Sequence, residues 1–185
     1  MSGGREQVRD RLRVLGVDPG TAVTGWGVVE RRNGAFMHLG HGTVATHPRT
    51  ALAEKLDAIH RTLAAHCAEW RPDIVAIEKS FVGRNVQSAF RLGEVRGVVM
   101  VVAARAGLAV AEYSPAEVKL AVTGYGRAEK IQVEHVLARE LGLVRPVARD
   151  AADALAVAVC HLQSARMRML VGAQRPGRAA PLVAR

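Results

Sequence analysis

Four carboxylates sit where an apolar framework has little structural use for them. Asp18 ends the run Val14-Leu15-Gly16-Val17, and Glu78 ends the run Ile74-Val75-Ala76-Ile77. Asp150 and Asp153 stand three apart in a stretch otherwise built from Ala151, Ala154, Leu155, Ala158, Val159 and Leu162. A carboxylate against an apolar sheet is costly unless it is paired or bound to a metal. Each acid alone also has a plainer reading. Asp18 fits an Asp-Pro-Gly turn, Glu78 can pair with Lys79, and two acids in a first helical turn suit the macrodipole. The combination is different, because four acids from three elements converge only around something divalent. Oxygen ligands of this kind suit Mg2+, with Mn2+ as the alternative, and no His or Cys spacing suits zinc. Paired ions about 3.5–4 Å apart can activate a water and stabilise the leaving oxygen of a phosphodiester.

The elements that must position these acids follow from hydrophobic pattern and punctuation. Residues 13–18 read as a strand stopped by Pro19-Gly20, residues 24–30 as a second, and residues 35–46 as a third after the Asn33-Gly34 turn. Pro48 and Thr50 open a helical stretch with Leu52, Leu56, Ile59 and Leu63 on one face, ending near Pro72. Residues 73–78 form a short continuous apolar run, the mark of a strand covered on both faces. Further along, the pattern predicts a helix over 85–106, a strand over 108–113, and a helix opened by Ser114-Pro115. Two more helices are expected over 127–141 and 149–165. A meander followed by alternating helix and strand means one mixed five-stranded α/β sheet with helices on its faces. Right-handed crossovers place the first and fourth strands side by side and parallel. Residues 1–12 read as a flexible extension, 13–165 as the folded domain, and 166–185 as a basic disordered tail.

The chain has 185 residues and a formal charge of +9, and 22 of its 26 cations are Arg. Such a balance suits a polyanionic partner, since Arg forks grip phosphate oxygens and clustered cations release counterions. A length of this order gives one well-buried domain. No apolar run reaches the ~20 residues of a membrane span, and no secretory h-region follows the N-terminal arginines, so the cytoplasm is the expected compartment. Cys67 and Cys160 lack CxxC partners and read as buried thiols. Gly25-x-Gly27 lacks the rest of a dinucleotide fingerprint.

Taken together, Val-Asp18-Pro-Gly-Thr21-x-x-Thr24-Gly25, Ala-Ile-Glu78-x-x-Phe81 and Asp150-Ala-Ala-Asp153-Ala-Leu resemble the RuvC family of Holliday-junction resolvases. Gln87-Ser-Ala, Leu92-Gly, Arg96-Gly97 and Gly126-Arg-Ala-Glu-Lys130 fit the same pattern, in family order from about Arg13 to Leu162. The resemblance implies a ribonuclease H-like fold, a homodimer, and Mg2+-dependent paired nicking of a four-way DNA junction in recombination and repair. It also implies the branch-migration complex RuvA–RuvB as a partner, and two metal ions per site held by Asp18, Glu78, Asp150 and Asp153. On charge, Asp18 would bridge both ions, with Glu78 and Asp153 each completing one site. Asp150 would bind a metal or orient the attacking water.

Phe81 lies just beyond Glu78, where an aromatic side chain either staples the next helix or stacks on unpaired bases. The family's Glu-x-x-Phe pattern implies the second role. Lys119 and Lys130 flank the Gly-rich 123–126 loop and match family lysines linked to catalysis or DNA contact. Arg84, Arg91 and Arg127 are candidate phosphate contacts. The helix containing Val98-Val99-Met100-Val101-Val102 is apolar all round, so the face turned away from the sheet is expected to meet a second subunit. Rival readings are another ribonuclease H-like nuclease of the YqgF type, an actin-like or sugar-kinase phosphate site, and a non-catalytic junction-binding module. At this length the kinase reading lacks its second domain.

Overall fold

The computed structural model describes residues 11–79 and 86–173, and the side chains of all of these except 166–173. Strand β1 (Arg11–Asp18) pairs antiparallel with β2 (Val23–Arg32), which pairs antiparallel with β3 (Ala35–Ala45). Helix α1 (Leu52–Trp70) then returns the chain so that β4 (Ile74–Glu78) lies parallel to β1. Helix α2 (Val86–Arg105) does the same for β5 (Ala109–Tyr113). Three helices follow: α3 (Pro115–Thr123), α4 (Lys130–Leu141) and α5 (Arg149–Ala173). The sheet order is β3-β2-β1-β4-β5, the expected meander with parallel strands beyond it.

Strand alternation sorts the core into two layers. Leu15, Val17, Val75 and Ile77 face α1 and α2, packing on Ile59, Leu63, Val95 and Val99. Val14 and Ala76 face the other way and join Leu155, Ala158, Val118 and Leu137 from α3, α4 and α5. Helix α5 is buried almost all round between Ala151 and Leu162, which explains its alanines: small side chains favour the helix and permit close packing on both sides. Removing a buried Leu such as Leu155 would cost about 2–5 kcal/mol. Cys67 and Cys160 are both buried and free. Among the described residues no helix is long and apolar enough to cross a membrane.

Several boundaries differ from those read off the sequence. β1 begins at Arg11, inside the expected extension, because Arg11 pairs with Arg32 in the ladder and its Nε donates to Glu30 Oε2 at 2.8 Å. α5 does not stop at residue 165 but runs to Ala173, so the expected disordered tail is helical over its first eight positions. Residues 166–171, Arg-Met-Arg-Met-Leu-Val, are mostly good helix formers, and the first breaker is Gly172. α4 starts at Lys130 rather than 127, since Glu129 takes the N-cap position and shares a capping box with Gln132. The Ser114-Pro115 helix start is as expected, with the Ser114 Oγ accepting from the Glu117 N–H.

Candidate active site

The parallel strands β1 and β4 end together, and alternation turns their last residues to the α5 side. Val17 pairs with Ile77, so Asp18 and Glu78 are the next residues along, on neighbouring strands about 4.8 Å apart. Both carboxylates lie on the face that carries Val14 and Ala76, toward α5. In open α/β sheets this carboxyl edge is where ligands commonly bind.

Three glycines bring the helix down onto that edge. Gly25 is the ladder partner of Asp18, and a Cβ built on it would come 1.9 Å from the Asp150 carbonyl oxygen. A Cβ on Gly16 would come 2.0 Å from the Ala154 carbonyl oxygen, and one on Gly27 would come 2.6 Å from Leu155 Cδ2. The first turns of α5 therefore rest on bare backbone, which places Asp150 and Asp153 over the end of β1. This is the role of Gly25-x-Gly27. The turn after Asp18 is held by Thr24, fully buried, whose Oγ1 donates to the Gly20 carbonyl at 2.7 Å.

The electrostatics record how crowded the four acids are. Burial, then the charges of Asp153, Glu78 and Asp150, push the Asp18 carboxyl up to about 7, against a weaker opposite pull from Lys130. Glu78 is raised too, by burial and then by Asp153, while Lys130 and Lys119 pull it down. Lys130 Nζ donates to Asp153 Oδ2 at 2.5 Å, with both side chains about one-third exposed. Among the described residues, however, no three acids, histidines or cysteines are closed to the spacing of a shared metal ion. The Lys130 ammonium is the counter-ion of Asp153, and its charge also pulls Asp18 and Glu78 down. The donor set itself is all carboxylate oxygen and short of positive charge, which suits a hard divalent cation.

Of the residues expected to contact DNA, Lys119 and Lys130 reach the electrostatic neighbourhood of the carboxylates. Arg91 is exposed on α2 and Arg127 is exposed in the turn before α4, each without an ion pair among the described residues. Phe81 and Arg84 lie outside the described residues. Two residues were not singled out by their own chemistry. Arg96 Nη1 donates to the Glu78 carbonyl at 3.0 Å, and its Nη2 pairs with Glu112 Oε1 at 3.0 Å. A lone cation in the apolar stretch 95–104 was the available signal.

A family model described as crossover junction endodeoxyribonuclease RuvC matches residues 14–161. The crossover junction endodeoxyribonuclease RuvC of Syntrophomonas wolfei is 45% identical over 157 residues, covering 84% of this chain and 91% of its own. That of Geobacter metallireducens is 42% identical over 160 residues, covering 86% and 98%. Among solved structures, Thermus thermophilus RuvC in complex with Holliday junction substrate superposes with a TM-score of 0.81 at 35% identity, covering 84% of this chain and 96% of that one.

Proposed function

Because this chain belongs to the RuvC family of crossover junction endodeoxyribonucleases, we infer that it resolves four-way DNA junctions by hydrolysing phosphodiesters at the edge formed by β1, β4 and α5. The observation that carries the assignment of the site is its group of acids: burial first, then the charges of Asp153, Glu78 and Asp150, push Asp18 up to about 7. Burying like charges together has no structural benefit, and it fits a cation-binding site. The match across residues 14–161 sets aside the kinase and YqgF-type readings.

In this reading Asp18, Glu78 and Asp153 hold Mg2+ (or Mn2+), two ions per site, with Asp150 completing the set or orienting water. The bound ions would supply Lewis acidity and an activated water. Asp18 feels the charges of Asp153, Glu78 and Asp150 alike, which suits a bridging role. Lys130 donates to Asp153 Oδ2 beside the other acids, and from there its ammonium would also serve a phosphate of the DNA. Lys119 also acts on Glu78, the exposed Arg91 and Arg127 are further DNA contacts, and Phe81 and Arg84 are assigned to DNA on the family pattern alone.

Two matched cuts need two sites, and α2 offers the surface to join them. Val86, Phe90, Met100 and Val101 are 62%, 70%, 40% and 48% exposed. Between them a Cβ on Gly93 or Gly97 would meet nothing within 4 Å, so a facing helix can come close. A homodimer through α2 follows, with the RuvA–RuvB complex as partner and the cytoplasm as setting. Sedimentation at micromolar concentration should give a dimer, and a persistent monomer would refute this arrangement.

The deciding experiment offers the protein a synthetic four-way junction and a linear duplex of the same sequence, with and without Mg2+. Paired nicks in the junction alone, and only with the metal, are expected. Equal cutting of the duplex, or cutting in chelator, would overturn the reading.

A further inference from the structure

The end of β4 has an unmet hydrogen-bonding need. Alternate residues of a parallel strand turn both backbone groups to the same neighbour. Lys79 turns to β5, its N–H donating to the Tyr113 carbonyl at 2.6 Å, so Glu78 turns to β1. With Val17 opposite Ile77, the Glu78 carbonyl faces the N–H one residue beyond Asp18. That residue is Pro19, which has no N–H. The ladder stops there, with Val17 and Ile77 as its last pair.

Arg96 supplies the missing donor. Its Nη1 lies 3.0 Å from the Glu78 carbonyl oxygen, and its Nη2 lies 3.0 Å from Glu112 Oε1. Glu112 is opposite Ile77 in the β4–β5 ladder, so both anchors belong to the strand ends beside the site. The Arg96 side chain is only 17% exposed. A planar guanidinium can hold two oxygens at fixed separation, whereas a lysine ammonium offers a single point charge.

We propose that Arg96, locked by Glu112, is a positioning residue that fixes the end of β4 and so aims the Glu78 carboxylate. The proposal rests on the nuclease reading above and assigns Arg96 no contact with DNA or metal. Its effect runs through the main chain: with the carbonyl released, the last residue of β4 loses the donor that Arg96 gives it among the described residues, and the carboxylate samples a wider arc. Small displacements of a reacting group can cost about a hundredfold in rate.

The test uses full-length Arg96→Gln, Arg96→Lys and Glu112→Gln with four-way junction DNA. Three quantities are read for each: single-turnover cleavage at saturating junction, junction affinity in Ca2+, and Mn2+ affinity of the DNA-free protein by calorimetry. For Arg96→Gln the cleavage rate and Mn2+ affinity should each fall by about ten- to a hundredfold, the range seen when partners of metal ligands are removed. Junction affinity should hold, and excess metal should restore part of the rate. Arg96→Lys should rescue incompletely, and Glu112→Gln should fall between Arg96→Gln and wild type. A folded Arg96→Gln with wild-type rate and Mn2+ affinity overturns the proposal. So does a loss of junction affinity that accounts for the whole defect, which would make Arg96 a phosphate contact. If Arg96→Gln does not fold, Glu112→Gln decides by the same readouts. A wild-type protein that leaves the junction intact would instead refute the nuclease reading, which separates the two failures.

Discussion

Strand β1 has a carboxylate problem at each end, and the two are met in opposite ways. At its start, the Glu30 side chain of the neighbouring strand is fully buried, yet three arginines surround it. Arg11 Nε lies 2.8 Å and Arg13 Nη2 2.7 Å from Oε2, and Arg32 Nη2 lies 2.6 Å from Oε1. Burial alone would raise this acid, but hydrogen bonds from Arg13, Arg11 and Arg32 bring it below its ordinary value. Arg13 also donates to the Trp70 carbonyl, tying the end of α1 to the cage. At the other end, Asp18 is half-buried beside three acids with one lysine nearby, and burial and those charges push it up to about 7. The first cluster has its charge compensated by its own arginines. The second is left short of positive charge, which fits the cation site proposed above rather than a structural ion cage.

The largest expected effect comes from neutralising the unsatisfied end. Asp18→Asn should lower junction cleavage by about a thousandfold or more while junction binding persists, because phosphate contacts use other residues. The same change should raise the melting temperature of the metal-free protein above pH 7. A variant that lost activity and stability together would erase the contrast between the ends. Next in size is Glu30→Gln, which leaves three guanidinium groups around a neutral amide. Breaking a buried ionic cluster from one side costs about 3–5 kcal/mol, so the melting temperature should drop while cleavage per folded molecule stays at the wild-type level.

The smallest effect sharpens the comparison by pH. Asp18 titrates near 7 in the folded chain against an ordinary 3.8, so its contribution to stability is full below about pH 4 and is lost as pH rises toward 7. Glu30 runs the other way: its contribution is present above its ordinary 4.5 and is lost as pH falls through the lowered folded value. Without metal, the stability advantage of Asp18→Asn over wild type should shrink between pH 7 and pH 4. The disadvantage of Glu30→Gln should persist down to about pH 4.5 and narrow only below it. Thermal melts in chelator across pH 3–8 measure both, and parallel curves would contradict the assignment.

Much of the site was legible because it depends on short-range rules. Asp18 and Glu78 each close an apolar strand, and strand period and crossover handedness are enough to put them side by side. Asp150 and Asp153 follow from helical spacing. What was hidden depends on register and on backbone chemistry. The arginine cage around Glu30 exists because Arg13 falls opposite Glu30 and Arg11 opposite Arg32, a pairing that no local pattern specifies. Arg96 acts on a carbonyl left open by a proline on another strand, so neither residue announces the link. The extra turns of α5 were missed because the arginines after residue 165 were weighed as charge rather than as helix formers.

The seat of α5 on Gly16, Gly25 and Gly27 has a consequence for how this enzyme could be changed. At Gly16 and Gly25 main chain rests on main chain, where no rotamer can yield, and at Gly27 it rests on the fully buried Leu155 side chain. Spacing at that seam therefore behaves like a machined stop rather than a cushion. Libraries seeking new cleavage preferences should leave positions 16, 25 and 27 untouched and draw their variety from the segments that border the seam.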